Sequence, residues 1–183
     1  MYNTERTAQA AAYFLLLAKG SVPGQRLLRL MYLADREWLL KNGSLLTGDT
    51  YAATQQGPEL HRLNKTALTE SASPWTRLIR TEEDGKFALR DPQPPKETLD
   101  LLSPAAETLI TRVFEQYGRL PDSCFESATL AACPEWHKPQ NGIEPIQYLD
   151  VLLHHGFTSQ QAQELLQFLD EQESYDKLIR DLR

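Results

Sequence analysis

The stretch GQRLLRLMYLADREWLLKN, running from Gly24 to Asn42, has no glycine or proline inside it. At roughly 1.5 Å per residue it predicts about 28 Å of unbroken helix. Ser21 is placed to cap its start, Pro23 falls in the first turn, and Gly43 stands just past the end. At 100° per residue Leu27, Leu30, Met31, Ala34 and Trp38 centre one face, and Leu28, Tyr32 and Leu39 extend it. Only a narrow polar stripe remains, holding Arg26, Arg29, Arg36 and Glu37. A helix this apolar around its circumference has to be covered by several other elements. The expected architecture is therefore mainly α (α+β), a compact helical domain around a central buried helix.

On either side of this helix the chain carries further helical signals. Thr4 to Lys19 predicts a first helix, capped by Thr4 and ended by Gly20, with Ala8, Ala11, Ala12, Leu15 and Leu16 at helical spacing. Tyr51 to Thr54 suits a short extended piece. Pro58 then reads as the first turn of a helix over Glu59–Ser71, with Leu60, Leu63, Ala67 and Leu68 on one face. Between Thr76 and Asp91 the apolar residues alternate around Glu83-Asp84-Gly85, which predicts a small antiparallel β-hairpin. The proline-rich 91–95 segment is an extended connector. Helices follow from Ser103-Pro104 to Tyr117, from Asp122 to about Ala132, from Glu144-Pro145 to His155, and, capped by Thr158, from Ser159 to about Asp181. This predicts a domain over 1–140 and a C-terminal helical extension over 141–183 packed on it.

Composition narrows the function classes. The 183 residues are 41% hydrophobic and 24% charged, ordinary values for a globular protein. Twenty-five acidic against 19 basic residues give a net charge of −6, which works against binding a phosphate backbone, so nucleic acid is not the expected partner. The longest apolar run, Ala10–Ala18, is too short for a bilayer, and its flank does not resemble a signal peptide. Cys124 and Cys133 suit reduced thiols in a cytoplasmic protein.

Motifs for phosphate, dinucleotide, zinc-protease or serine-hydrolase chemistry are missing from the sequence. Cys133 and His137 stand four apart but are separated by Pro134, and no second ligand pair accompanies them. The adjacent His154 and His155 diverge by about 100° on a helix and make poor co-ligands. No catalytic residue, metal or cofactor is expected. The alternative is a small thiol- or metal-dependent enzyme centred on Cys133 and His137; a DNA-binding autorepressor is a further alternative, although no basic helix-turn-helix is visible.

Arg26, Arg29 and Arg36 share a sector of about 80°. They form either a solvated or internally paired face, with Asp170, Glu171, Glu173 and Asp176 as available acids, or a partner-binding edge of fork-shaped guanidinium groups. Asp35 lies toward the apolar side and needs hydrogen bonds there, as a structural group or as part of a recognition site. Trp38 is expected in the core. Trp75 and Trp136 follow proline-containing turns, as local packing or as exposed interface anchors.

The run Arg26-Leu27-Leu28-Arg29-Leu30-Met31-Tyr32-Leu33-Ala34-Asp35, followed in order by Gly43, Leu46, Thr47, Asp49, Tyr51, Ala52 and Gly57-Pro58, resembles the signature of the Panacea (SocA-like) antitoxin domain. A second segment of that family is similar to Val113–Gly118 and Leu130–Trp136, so the resemblance spans roughly Thr4 to Pro139. Arg26 and Arg29 stand where the family has lysines, and Cys133 where it has a histidine, so no role is carried over for that position. The resemblance implies a phage- or mobile-element-associated antitoxin that neutralises a cognate protein toxin by direct binding, without a reaction of its own. A relative delivers its toxin to a protease, so a protease is a further implied partner. The expected partner-binding residues are Arg26, Arg29, Asp35, Arg36, Tyr51, Gly57, Pro58 and Trp136.

Overall fold

The 24–42 run forms a single helix in the computed structural model, which describes residues 2–63, 65 and 73–182. This helix, α2 (Gly24–Asn42), buries Leu27, Leu30, Tyr32, Leu33, Ala34 and Leu39 completely. Each such leucine contributes about 1.5–3 kcal/mol by leaving water. Gly43 ends the helix in the left-handed conformation, φ 62°. Ser21 does not cap the start. Instead β1 (Val22–Pro23) leads directly into Gly24, and the fixed φ of Pro23 makes the switch from extended to helical without a side-chain cap.

The first helix, α1 (Thr4–Ala18), is capped by Asn3, whose side chain accepts from Arg6 N at 2.9 Å, not by Thr4. Its end is the left-handed Lys19, φ 55°, one residue before the expected Gly20. Around α2 and α1 the described residues are mainly helical, with two small antiparallel sheets among them. One sheet has the order β1-β5-β4, with β4 (Ile79–Thr81) and β5 (Lys86–Leu89) forming the predicted hairpin and Val22 pairing Phe87. Thr76–Leu78, expected in that hairpin, belongs to the short helix α3 (Pro74–Leu78), held by a reciprocal cap between Ser73 and Thr76. Trp75 is buried edge-on against Phe87, ring centroids 5.3 Å apart, and packs locally.

The second sheet was not expected. β2 (Tyr51–Thr54) lies between β3 (Gly57–Leu60) and β6 (Glu144–Ile146). Glu59 and Leu60 are therefore strand residues, and Pro58 pairs with Ala53 instead of opening a helix. Helical backbone begins only at His61; Ala67 and Leu68 lie outside the described residues. Glu144-Pro145 likewise forms a strand, and the helix that follows, α6 (Tyr148–His154), starts later than expected. Pro23, Pro58 and Pro145 all stand on edge strands, where a residue with no N–H removes no ladder bond from the sheet interior.

The remaining helices follow the sequence signals. α4 (Pro104–Val113), capped by Ser103, continues as a π turn over Phe114–Gly118. α5 (Asp122–Ala131) runs to the turn at Cys133, and α7 (Ser159–Asp181) is capped by Thr158, which accepts from Gln161 N at 3.2 Å. The core sits between α2, α1, α4 and both sheets, and β6 joins the residues after 140 to β2. Among the described residues no helix is long and apolar enough to cross a membrane.

Candidate functional site

The polar stripe of α2 is roofed by residues 118–137. Arg26 donates to the carbonyls of Gly118 (3.0 Å) and Leu120 (2.9 Å) and to Asp122 Oδ1 (2.7 Å). Its guanidinium lies 4.2 Å from the centre of the Phe125 ring. Arg29 donates to the Gln56 carbonyl and, at 3.4 Å, to Thr129 Oγ1. Its planar head fills the space where a side chain on Gly57 would stand: a Cβ there would collide with the Arg29 guanidinium. Gly57 also has φ +133°, a backbone conformation that favours glycine. Arg36 donates to the Ala132 carbonyl, to Glu135 Oε1 (3.2 Å) and to Cys133 Sγ (3.3 Å). Arg29 and Arg36 are 5% and 2% exposed, so these two groups are interior fastenings and not an open edge, and the acids of α7 are not their partners.

Glu135 is the centre of this roof. It accepts from the Tyr32 hydroxyl at 2.6 Å, from Arg36 at 3.2 Å, and its other oxygen lies 3.4 Å from His155 Nε2. Burial on its own would raise the carboxyl, but the contacts with His155, Arg36 and Tyr32 outweigh it and hold the group at about 2. It is therefore ionised, and Arg36 supplies the opposite charge that a buried carboxylate needs.

Asp35 sits on the other side of α2, fully buried. It accepts from Thr47 N and Oγ1, both at 2.6 Å, and from the Tyr51 hydroxyl at 2.7 Å. Burial pushes it up to about 6 in spite of these bonds. Tyr51 in turn meets Tyr32 and Tyr148 edge-on, with ring centroids 5.0 and 4.9 Å apart. Asp49 collects the backbone N–H groups of Thr50, Arg62 and Leu63, while its own carbonyl accepts from Tyr148. The Asp, Tyr and Gly-Pro positions of the signature thus clamp β2 and β3 onto α2.

Of the eight residues expected to meet a partner, Arg29, Asp35, Arg36, Tyr51, Gly57 and Pro58 are buried. Arg26, whose side chain is 11% exposed, and Trp136 are partly buried and flank the exposed Gln55–Gln56 turn, Trp136 donating to Thr54 O at 3.3 Å. Beside that turn a groove of about 310 Å³ is lined by Gln25, Arg26, Gln56, Phe125 and Glu126. Trp38, expected in the core, is only partly buried and donates to Ser44 Oγ at 3.0 Å.

Glu135 and Tyr148 were not singled out as site residues from the sequence, and Thr47 stood only as a position of the signature. A signal was available for the first. Neither Arg29 nor Arg36 has a carboxylate three or four residues away on α2, so a buried guanidinium there requires a distant acid.

The geometry speaks against the thiol alternative. Cys133 is buried, and burial pushes its thiol up to about 12 despite Arg36 and Arg29 nearby, so it stays protonated at neutral pH. His137 is exposed and lies 3.5 Å from Glu144. Among the described residues no group of three or more His, Cys, Asp or Glu is arranged to hold a metal ion.

The family model described as "Antitoxin SocA-like, Panacea domain" matches residues 27–137. Neither the curated proteins nor the solved structures give a match.

Proposed function

Because this chain belongs to the SocA-like antitoxin family defined by the Panacea domain, we propose that it neutralises a cognate protein toxin by binding it directly, without catalysing a reaction. The observation that carries this reading is the consumption of the signature residues inside the fold. Arg29, Asp35 and Tyr51, and Arg36 just past the first run of the signature, each end on an internal partner, so the signature serves a rigid scaffold. What a scaffold of this kind offers is its exterior.

In this reading residues 1–140 are the antitoxin-like domain and 141–183 a helical extension packed on it. Arg26 and Trp136, with the Gln55–Gln56 turn between them, give the toxin a contact surface; Arg29, Asp35, Arg36, Tyr51, Gly57 and Pro58 hold that surface from beneath. The encounter takes place in the cytoplasm, where the free thiols of Cys124 and Cys133 stay reduced.

The test is expression of the adjacent reading frame, alone and with this chain. The expected result is growth arrest by the first product, growth restored by co-expression, and co-elution of the two purified proteins. An adjacent product that arrests nothing, or one that arrests growth yet neither binds this chain nor is counteracted by it, overturns the reading.

A further inference from the structure

From its middle to just past its end, α7 carries an apolar stripe that, among the described residues, remains largely exposed. Phe168, Tyr175, Leu178, Ile179 and Leu182 are between 37% and 77% exposed. At 100° per residue they fall within a sector of roughly 100°, with Phe168, Tyr175 and Leu182 recurring every seven residues. This is not the face by which α7 is attached. Ala162, Leu165, Leu166 and Leu169 pack on the body, Leu165 reaching the end of α2 at Gly43, and they point about 130° away from the stripe. Of the other exposed large apolar residues among those described, Leu101 borders a cavity shared with Phe168, and Ile143 and Leu153 are scattered singly.

Charge selects the occupant. The charged residues sharing the stripe's sector, Glu164 and Glu171, are both acidic, and each accepts from a neutral glutamine one turn earlier, Gln160 and Gln167 at 2.9 Å. Two copies laid side by side in parallel would set Glu171 against Glu171. An antiparallel pair centred on Tyr175 would press it onto the partner's Leu178 and Ile179. The area points the same way: five half-exposed side chains offer on the order of 500 Å², below the ~800 Å² per partner of a standard interface. The stripe suits a helix laid into another protein's groove as one part of a larger contact.

Resting on the antitoxin reading above, we infer that α7 is a second toxin-binding element: its Phe168–Tyr175–Leu182 stripe enters an apolar groove on the toxin, with a lysine or arginine of the toxin beside Glu171. The experiment measures binding of the purified adjacent-frame product to the full chain and to two variants, Tyr175→Ala/Leu178→Ala and Glu171→Lys. Circular dichroism and size-exclusion light scattering are run on each. The expected result is binding weakened about tenfold or more in both variants, with helix content and molecular mass unchanged. Undiminished binding by both variants overturns this inference and leaves the antitoxin reading standing. A wild-type dimer that becomes monomeric on Tyr175→Ala/Leu178→Ala, with toxin binding intact, also overturns it, in favour of self-association. Failure of the wild-type chain to bind the product removes both.

Discussion

The two long helices α2 and α7 treat their side chains in opposite ways. In α2 even the charged stripe is interior: Arg29 and Arg36 are buried and end on carbonyls, a hydroxyl and a carboxylate supplied from about 100 residues away and from the Gln56 turn. In α7 the apolar residues of the distal half are exposed, as is every residue from 170 to 179. One helix is bound by its own chain around most of its circumference, whereas the other has an unused side. The family match takes in the first from residue 27 onward and stops before the second, at residue 137. The contrast separates what makes the scaffold from what a partner is offered.

The comparison is broken most severely at Arg36. Arg36→Met leaves Glu135 ionised and buried without its counter-charge, and should lower unfolding stability by about 3–5 kcal/mol in urea titrations. Adding Glu135→Leu should recover part of that loss, because the stranded charge is then gone. A loss under 1 kcal/mol in the single variant would mean that α2 is not fastened there.

Asp35 gives the next largest effect, and its sign is distinctive. Its folded value, about 6, is raised above the ordinary 3.8, so between these values the folded state holds a proton that the unfolded state has lost. Its contribution is greatest below pH 4 and falls as pH rises through 6, by about 3 kcal/mol in all at 1.36 kcal/mol per unit. Asp49, also raised by burial, acts in the same sense. Glu135, held at about 2, works oppositely: its stabilisation is complete above pH 4.5 and is lost as pH falls through 2. Unfolding curves from pH 4 to 7 should therefore flatten in Asp35→Asn relative to the parent.

Gly57→Ala should cost about 2 kcal/mol or more, since the new Cβ meets the Arg29 guanidinium and the backbone sits at positive φ. Thermal unfolding measures it. At the other end of the scale, Leu178→Ala on α7 should change stability by less than about 0.5 kcal/mol, because the side chain is 60% exposed. A destabilisation of 2 kcal/mol there would show that the stripe belongs to the fold after all.

Helices with strong periodicity were legible in the sequence because their signals are local. The stretch from Gly24 to Gly43 carries its pattern and its stop within twenty residues, and α4 carries Ser103 and Pro104 at its start. The second sheet was not legible because its pairing is non-local: β2 meets β6 across more than 90 residues. Prolines compounded the error, since a proline in the first turn of a helix and one on an edge strand look alike in sequence, and Pro58 and Pro145 were read the first way. At the site, periodicity located the arginine stripe but not what covers it. An exposed charged face and one roofed by a distant segment have the same helical projection. Only the lack of acids three or four residues from Arg29 and Arg36, the spacing of side chains that face one another on a helix, distinguished them.

The pairing of Ala52 with Pro145 has a consequence for any shortened form of this protein. β2 is the middle strand of its sheet only because residues 144–146 lie along one side of it. A fragment trimmed to the family-matched segment, 27–137, would strip that side and also remove Tyr148, whose ring shields Tyr51. A row of main-chain donors and acceptors would then stand bare beside apolar side chains, a template onto which other chains add as strands. Such a fragment is expected to precipitate rather than fold, so the recognisable domain depends on residues that its own signature does not include.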